Sequence, residues 1–523
     1  MEAAARLAVD ALADGVEHPS LLNLAASARY HEGRLEEAVA LLKRARAASP
    51  RDPHVLNSLG ICLRAQGRFQ AALEAYDAAL RVDPRLAAAH FNRGSVLEDL
   101  NELRSARAAY EKAAGLDRSY VDPVASLAWL AAQNGDAAEA RAMALRALQL
   151  APANILARMA LAFAELHARE LDAAGRRLDE LRREPQLSPT NRSIVLGLIG
   201  DLEDAAGRPA PAFEAYRASN EEMRRLHAPV YAAAGVEGAL GAALRLKAWF
   251  EAADPEPWRS APEARPRAAD PRLHVFLVGF PRSGTTLLEN VLAAHPDVVS
   301  LEEKDSLAPA IQTWLGSDAG LARLAVLGPG EAARQREAYW SAVRGFGAEP
   351  RGKVFIDKMP LNSLNLPLIA KLFPGARILF ARRDPRDVVL SCFRRRFGMN
   401  PSMYQLLTLD GAAAYYDAVM ALSDLYRGIL PTAEHLVRYE SLVEDFDGAA
   451  RAACAFLDLE WDEGLRDFAE GARSRGISTP SAAQVAKGLN REGQGSWRRY
   501  REQMAPVLPV LQPWVEAFGY EAG

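Results

Sequence analysis

The chain has 523 residues, half of them apolar and a quarter charged, with a net charge of −4. That length and balance predict a soluble globular protein of more than one domain, and they give no electrostatic case for nucleic acid or an anionic membrane surface. The widely spaced Cys62, Cys392 and Cys454 fit neither a disulfide framework nor a zinc site. The start, Met-Glu-Ala-Ala-Ala-Arg, is not a secretory leader, and no stretch reaches the length of a membrane span. The expected location is the cytoplasm, and no metal is expected.

A repeat fills the first part of the chain. GRLEEA begins at Gly33, GRFQAA at Gly67, NELRSA at Asn101, GDAAEA at Gly135 and RELDAA at Arg169, each 34 residues after the last. Ala38, Ala72, Ala106, Ala140 and Ala174 keep one phase, and Pro50, Pro84 and Pro152 another. A small residue lets two helices approach, a turn residue precedes the second helix, and Pro follows it. A shifted sixth unit is expected at Gly207, where GRPAPAFEAY repeats the theme. This pattern resembles tetratricopeptide repeats, which implies a helical solenoid over 1–252 that acts as a protein-interaction module.

Five prolines between Pro255 and Pro271 predict a semi-rigid spacer over 253–271. Beyond it the periodicity changes. Apolar runs predict strands at Leu273–Phe280, Lys353–Ile356, Ala376–Ala381 and Leu436–Tyr439. Helical patterns lie at Thr285–Ala294, Leu361–Phe373 and Pro385–Arg396. Alternating strand and helix predicts an α/β domain over 272–523 with a central parallel sheet.

GFPRSGTTLLENVL, from Gly279, sits between a strand and a helix. Such a turn aims backbone N–H groups and the positive end of a helix at a phosphate. Gly279 and Gly284 have the spacing of a P-loop, but Thr285 stands where a nucleoside triphosphatase has Lys. Thr286 keeps the hydroxyl position, and the basic side chain, Arg282, lies inside the loop beside Ser283. With PRSGTTLLENVLAAHP complete, the domain resembles the sulfotransferase superfamily. It is similar in style to tyrosylprotein sulfotransferases and to bacterial sulfotransferases that carry tetratricopeptide repeats.

The resemblance implies a donor, 3′-phosphoadenosine 5′-phosphosulfate (PAPS), with adenosine 3′,5′-bisphosphate (PAP) as product. Arg282, Ser283, Gly284, Thr285 and Thr286 would hold the 5′-phosphosulfate. In ARRDPRDVVLSCFRRRF, Arg383 and Ser391 have the spacing of the family's 3′-phosphate grip, although Arg383 could instead pair with Asp384 or Asp387. The family's base falls on Glu303 in SLEEKDSL. Adjacent residues on one element point differently, so only one of Glu302 and Glu303 should reach the site. Lys358 matches the family's Lys at the leaving group, with a pair to Asp357 as the alternative, and Arg282 would share that work. Tyr439 would approach the nucleotide. Ser478 and Lys487 lie in a stretch resembling the family's late loop, which departs from the pattern at Gly488 and Ser496. The Arg394–Arg396 and Arg498–Arg499 runs could attract an acidic acceptor, with exposed helix faces as the plainer reading.

The expected function is transfer of a sulfuryl group to a hydroxyl, with a protein or peptide tyrosine as the acceptor the resemblance favours. A P-loop kinase or triphosphatase and a repeat scaffold with an inactive catalytic domain are the rivals. The missing Lys after Gly284 argues against the first. The intact set of Arg282, Glu303, Lys358, Arg383 and Ser391 argues against the second.

Overall fold

The structure is a computed structural model, and it describes residues 7–8, 11–12, 15–262, 270–475, 488–489, 491 and 493–521. The chain forms two compact units, residues 1–181 and 182–523.

In the first unit, helices from Pro19–His31 to Leu171–Arg182 follow one another as hairpins. The residue that opens each turn has a positive φ: 76° at Gly33, 71° at Gly67, 57° at Asn101, 78° at Gly135 and 60° at Arg169. Glycine adopts this left-handed conformation without a Cβ penalty. Asn101 and Arg169 show that the turn is imposed by the packing on either side of it. Ala38, Ala72, Ala106, Ala140 and Ala174 are all fully buried. A second device recurs sixteen residues apart. Any side chain at Gly60 would collide with the Tyr76 ring, and one at Gly94 with the Tyr110 ring. A glycine on one helix thus admits a buried tyrosine from the next.

The second unit holds a five-stranded parallel sheet in the order β2-β3-β1-β4-β5. The strands are β1 Leu273–Gly279, β2 Val298–Glu302, β3 Val354–Lys358, β4 Arg377–Arg382 and β5 Ala433–Arg438. Alternate residues feed the two faces. Phe276, Val278, Phe355, Ile378 and Phe380 join a core with Tyr339, Trp340 and Tyr416. Val275, Leu277, Ile356 and Leu379 join another with Leu288, Val291 and Leu457. Both faces are covered, as a parallel sheet requires.

The structure adds to the expected elements and corrects some of them. β2 was not expected, because VVSLE is short and its polar residues mask the pattern. β3 and β5 are shifted along the chain, and residues 361–373 divide into a 3₁₀ turn, Pro360–Asn365, and a helix, Leu366–Leu372.

The helices Pro189–Ala205 and Pro209–Tyr231 lie in the unit that holds the sheet. Phe213, Tyr216, Phe250 and Trp258 are part of the same core as Phe276 and Phe380. This hairpin keeps the packing of the repeats, since a side chain at Gly200 would collide with the Tyr216 ring. The described part of the Pro-rich stretch is not a free spacer. Glu256–Trp258 forms a 3₁₀ turn, Trp258 is buried, and the Lys371 ammonium donates to the carbonyls of Pro257 and Ser260 (2.8 Å for Ser260). The tryptophan supplies the apolar area that outweighs the proline-rich composition.

Tyr76→Ala should lower the stability of the repeat unit by about 3–5 kcal/mol, the usual cost of emptying a buried aromatic site. Urea unfolding of the full chain followed by circular dichroism would register it as a lower midpoint.

Candidate active site

The loop between β1 and the helix Thr285–Leu292 is held by close contacts. A Cβ on Gly279 would sit 2.8 Å from Ser283 Oγ and 2.5 Å from the Ala381 carbonyl oxygen of β4. The Ser363 hydroxyl donates to the Gly279 carbonyl (3.0 Å), and the Ser283 hydroxyl donates to that of Phe280 (2.6 Å). Arg282 has φ 71° and Gly284 φ 99°. A non-glycine residue at Arg282 holds left-handed backbone only because its surroundings enforce it. Thr285 and Thr286 are buried. Tyr439, the first residue after β5, packs its ring where a Cβ on Gly284 would stand, 2.9 Å away.

Guanidinium groups gather on this loop. The Arg282 Nε donates to Ser391 Oγ (3.0 Å). Arg383 donates to the Arg282 carbonyl (3.0 Å) and to that of Gly493, and it lies over the Tyr439 ring, 4.9 Å from its centre. The alternative pairings of Arg383 do not occur. Asp384 is engaged by Arg386 (2.7 Å). Asp387 accepts from the N–H groups of Gly495 (2.7 Å) and Trp497 (2.9 Å) and from the Ser496 hydroxyl (2.9 Å). Arg383 therefore has no carboxylate partner among the described residues, and its buried Nε has no hydrogen-bond partner. Burial, with Arg395 and Arg383 nearby, pushes the Arg282 guanidinium down to about 9.

Arg395 is a residue that the sequence reading missed. Its N–H donates to the Cys392 carbonyl (3.3 Å), while its side chain makes no hydrogen bond or ion pair with the described residues. The sequence signal was its place in the Arg394–Arg396 run, since Arg395 follows the helix Pro385–Arg394 with extended backbone. Its neighbour Arg394 is not an exposed charge either, since it pairs with Asp204.

A second group of charges sits at the ends of β2 and β3. Lys358 is fully buried. Its ammonium lies 2.7 Å from Glu303, 3.4 Å from Glu289 and 3.7 Å from Glu302. Both residues of the Glu302–Glu303 pair thus reach it, contrary to the expectation that only one would. The reason is a turn: β2 ends at Glu302, and Glu303 has φ 43°. Its N–H donates to the Lys358 carbonyl (2.8 Å). Burial alone would lower the Lys358 pKa, but Glu303, Glu289 and Glu302 together hold it above its ordinary value. Asp357 is not the lysine's partner. It accepts from the Tyr339 hydroxyl (2.7 Å), which also contacts His274 (2.9 Å). Glu289 was not singled out from sequence, although a lone acid in TTLLENVL was a sign of it. Burial pushes its carboxyl up to about 8, against the pull of Lys358. Ser478 and Lys487 lie outside the described residues.

Residues 274–463 match a sulfotransferase family, and residues 17–85 and 58–121 match tetratricopeptide repeats. An uncharacterized protein of Aquifex aeolicus is 26% identical over 245 residues, 46% of this chain and 32% of that protein. The protein-tyrosine sulfotransferase of Drosophila melanogaster is 29% identical over 263 residues, 45% of this chain and 51% of that protein. The protein-tyrosine sulfotransferase 1 of Danio rerio is 28% identical over 271 residues, 47% of this chain and 72% of that protein. The chain thus spans about a third of the first of these relatives and about half of the second.

Glu289 gives the unit a defined pH dependence. Its carboxyl is raised from the ordinary 4.5 to about 8, so the folded state keeps a proton that the unfolded state has released. Its contribution to stability therefore falls as pH rises between those two values, then levels off. Glu289→Gln, which cannot ionise, should gain stability relative to the parent across that interval, as read by urea unfolding at a series of pH values.

Proposed function

We propose that this sulfotransferase-family domain, carried behind tetratricopeptide repeats, moves a sulfuryl group from PAPS to an acceptor hydroxyl. The observation that carries the reading is Arg383, a buried guanidinium beside the phosphate loop with no carboxylate partner among the described residues. A buried cation held by carbonyls, with Asp387 near it but not paired to it, is further stabilised by an anionic ligand. Arg383 and Ser391 would hold the 3′-phosphate, a group that ATP lacks, and Arg395 would add to the grip. Residues 282–286 would hold the 5′-phosphosulfate. Thr285 at the P-loop lysine position supports this donor over a nucleoside triphosphate.

Glu303 would take the acceptor's proton as the hydroxyl attacks. Lys358 and Arg282 would neutralise charge developing on the transferred group and the leaving phosphate. Glu303 and Lys358 are held against each other at 2.7 Å, which keeps a half-buried base and a buried acid in one place before substrates arrive. A peptide tyrosine is the acceptor class favoured by the names of the relatives. The repeats would present the protein that carries it.

Calorimetry should show tight binding of PAP, weak binding of ATP, and a loss of about ten- to a hundredfold in PAP affinity for Arg383→Ala, the range expected for charge-assisted bonds. Preference for ATP, or no effect of the substitution, would sink the donor assignment. Glu303→Gln should retain PAP binding and lose about a hundredfold or more in turnover with labelled PAPS.

A further inference from the structure

The hairpin Pro189–Ala205/Pro209–Tyr231 touches the donor site through a half-buried charge that no catalytic role uses. Asp204 lies near the end of the first helix. It accepts a hydrogen bond from the Tyr500 hydroxyl (2.7 Å), pairs with Arg394 and pairs with Arg499 (3.0 Å). The Arg394 guanidinium is sandwiched 5.2 Å from the ring centres of both Tyr216 and Tyr500. Tyr216 in turn donates to Asp201 (2.9 Å). Burial would raise the Asp204 pKa, but Arg394, Tyr500 and Arg499 together lower it.

The second helix reinforces the joint. Asn220 donates to the Phe393 carbonyl (2.8 Å), and Phe213 stacks on the Phe393 ring at 4.9 Å. Phe393 and Arg394 form the last turn of the helix Pro385–Arg394, where carbonyls lack intrahelical partners. Asn220 therefore caps that helix from outside.

Both segments joined at Asp204 belong to the candidate site. One is the helix that carries Ser391 and leads into Arg395. The other is the 3₁₀ turn Ser496–Tyr500. It follows Gly493, which accepts from Arg383, and Gly495, whose N–H is bound by Asp387. One carboxylate on a repeat-like hairpin thus fixes the two segments that flank Arg383.

We propose that Asp204 is a positioning residue that sets the 3′-phosphate grip through Arg394 and Tyr500. The inference rests on the donor reading above, and it makes the last helical hairpin part of the nucleotide-binding apparatus. Removing one partner of a buried ion pair leaves the other charge uncompensated. Arg394 would then shift, and Ser391 and Arg395 with it, while Gly279 and Ser283 of the phosphate loop keep their anchors on Ser363 and Phe280.

The experiment is calorimetric binding of PAP and of adenosine 5′-monophosphate, which lacks the 3′-phosphate. It would be run on the full chain, on Asp204→Asn and on the milder Tyr500→Phe, with Glu203→Gln as a control on the same helix. The parent should favour PAP by about tenfold or more. Asp204→Asn should lose most of that preference while binding the monophosphate within about twofold of the parent. Tyr500→Phe should fall between the two, and Glu203→Gln should match the parent. Asp204→Asn and Tyr500→Phe proteins that are folded by circular dichroism and keep the full preference would overturn the inference alone. So would an equal loss of both ligands, which marks general loosening. If Asp204→Asn does not fold, Tyr500→Phe decides. A parent that does not distinguish the two nucleotides would instead bring down the donor reading, and the inference with it.

Discussion

Buried positive charge organises the second unit. A guanidinium or ammonium taken out of water is tolerated only when carboxylates, carbonyls or a bound anion surround it. Lys358 is resolved inside the protein by Glu289, Glu302 and Glu303. Among the described residues Arg383 donates to carbonyls and lies over a tyrosine ring, with the Asp387 carboxylate near it but not in an ion pair with it. The two clusters lie beside each other on the loop and strand ends. The first holds one cation among three carboxyl groups, of which burial favours keeping Glu289 protonated, and the second holds guanidinium groups with no ion pair to a described carboxylate at Arg383.

The parallel sheet explains why these groups meet. All five strands run in one direction, so their C-terminal ends open on one edge. Gly279 ends β1, Lys358 ends β3, and Arg382 and Arg438 end β4 and β5. Arg383 and Tyr439 are the next residues along the chain. Ligands of open α/β sheets bind at this edge for the same geometric reason. Backbone strain falls in the same place, at Arg282 and Glu303, both with positive φ. At both points the chain is turned so that it brings a charged residue into the cluster.

The hairpin Pro189–Tyr231 has two structural loyalties. Its Gly200–Tyr216 contact is that of the Gly60–Tyr76 and Gly94–Tyr110 pairs of the repeats. Its Phe213 and Tyr216 belong to the core under the sheet. A repeat needs a neighbour to cover its apolar face. Here the covering surface is the helix and 3₁₀ turn that flank Arg383, which ties repeat packing to the geometry of the site.

Short-range periodicity determined a good part of this protein. The 34-residue phase marked turns whose positive φ recurs even where glycine is absent. The strand–turn–helix pattern at Gly279 marked the glycine-containing turn after β1, and the motifs singled out Arg282, Glu303, Lys358, Arg383 and Ser391, which stand on strand ends and on the loops and helix that follow them. Only the tertiary structure decided the rest. Glu302 and Glu303 converge because a left-handed turn follows β2, a feature of backbone rather than residue type. Glu289 and Asp204 gain their contacts from partners that lie far along the chain. Such pairings depend on how elements pack, and a linear pattern holds no record of which buried charge will face which.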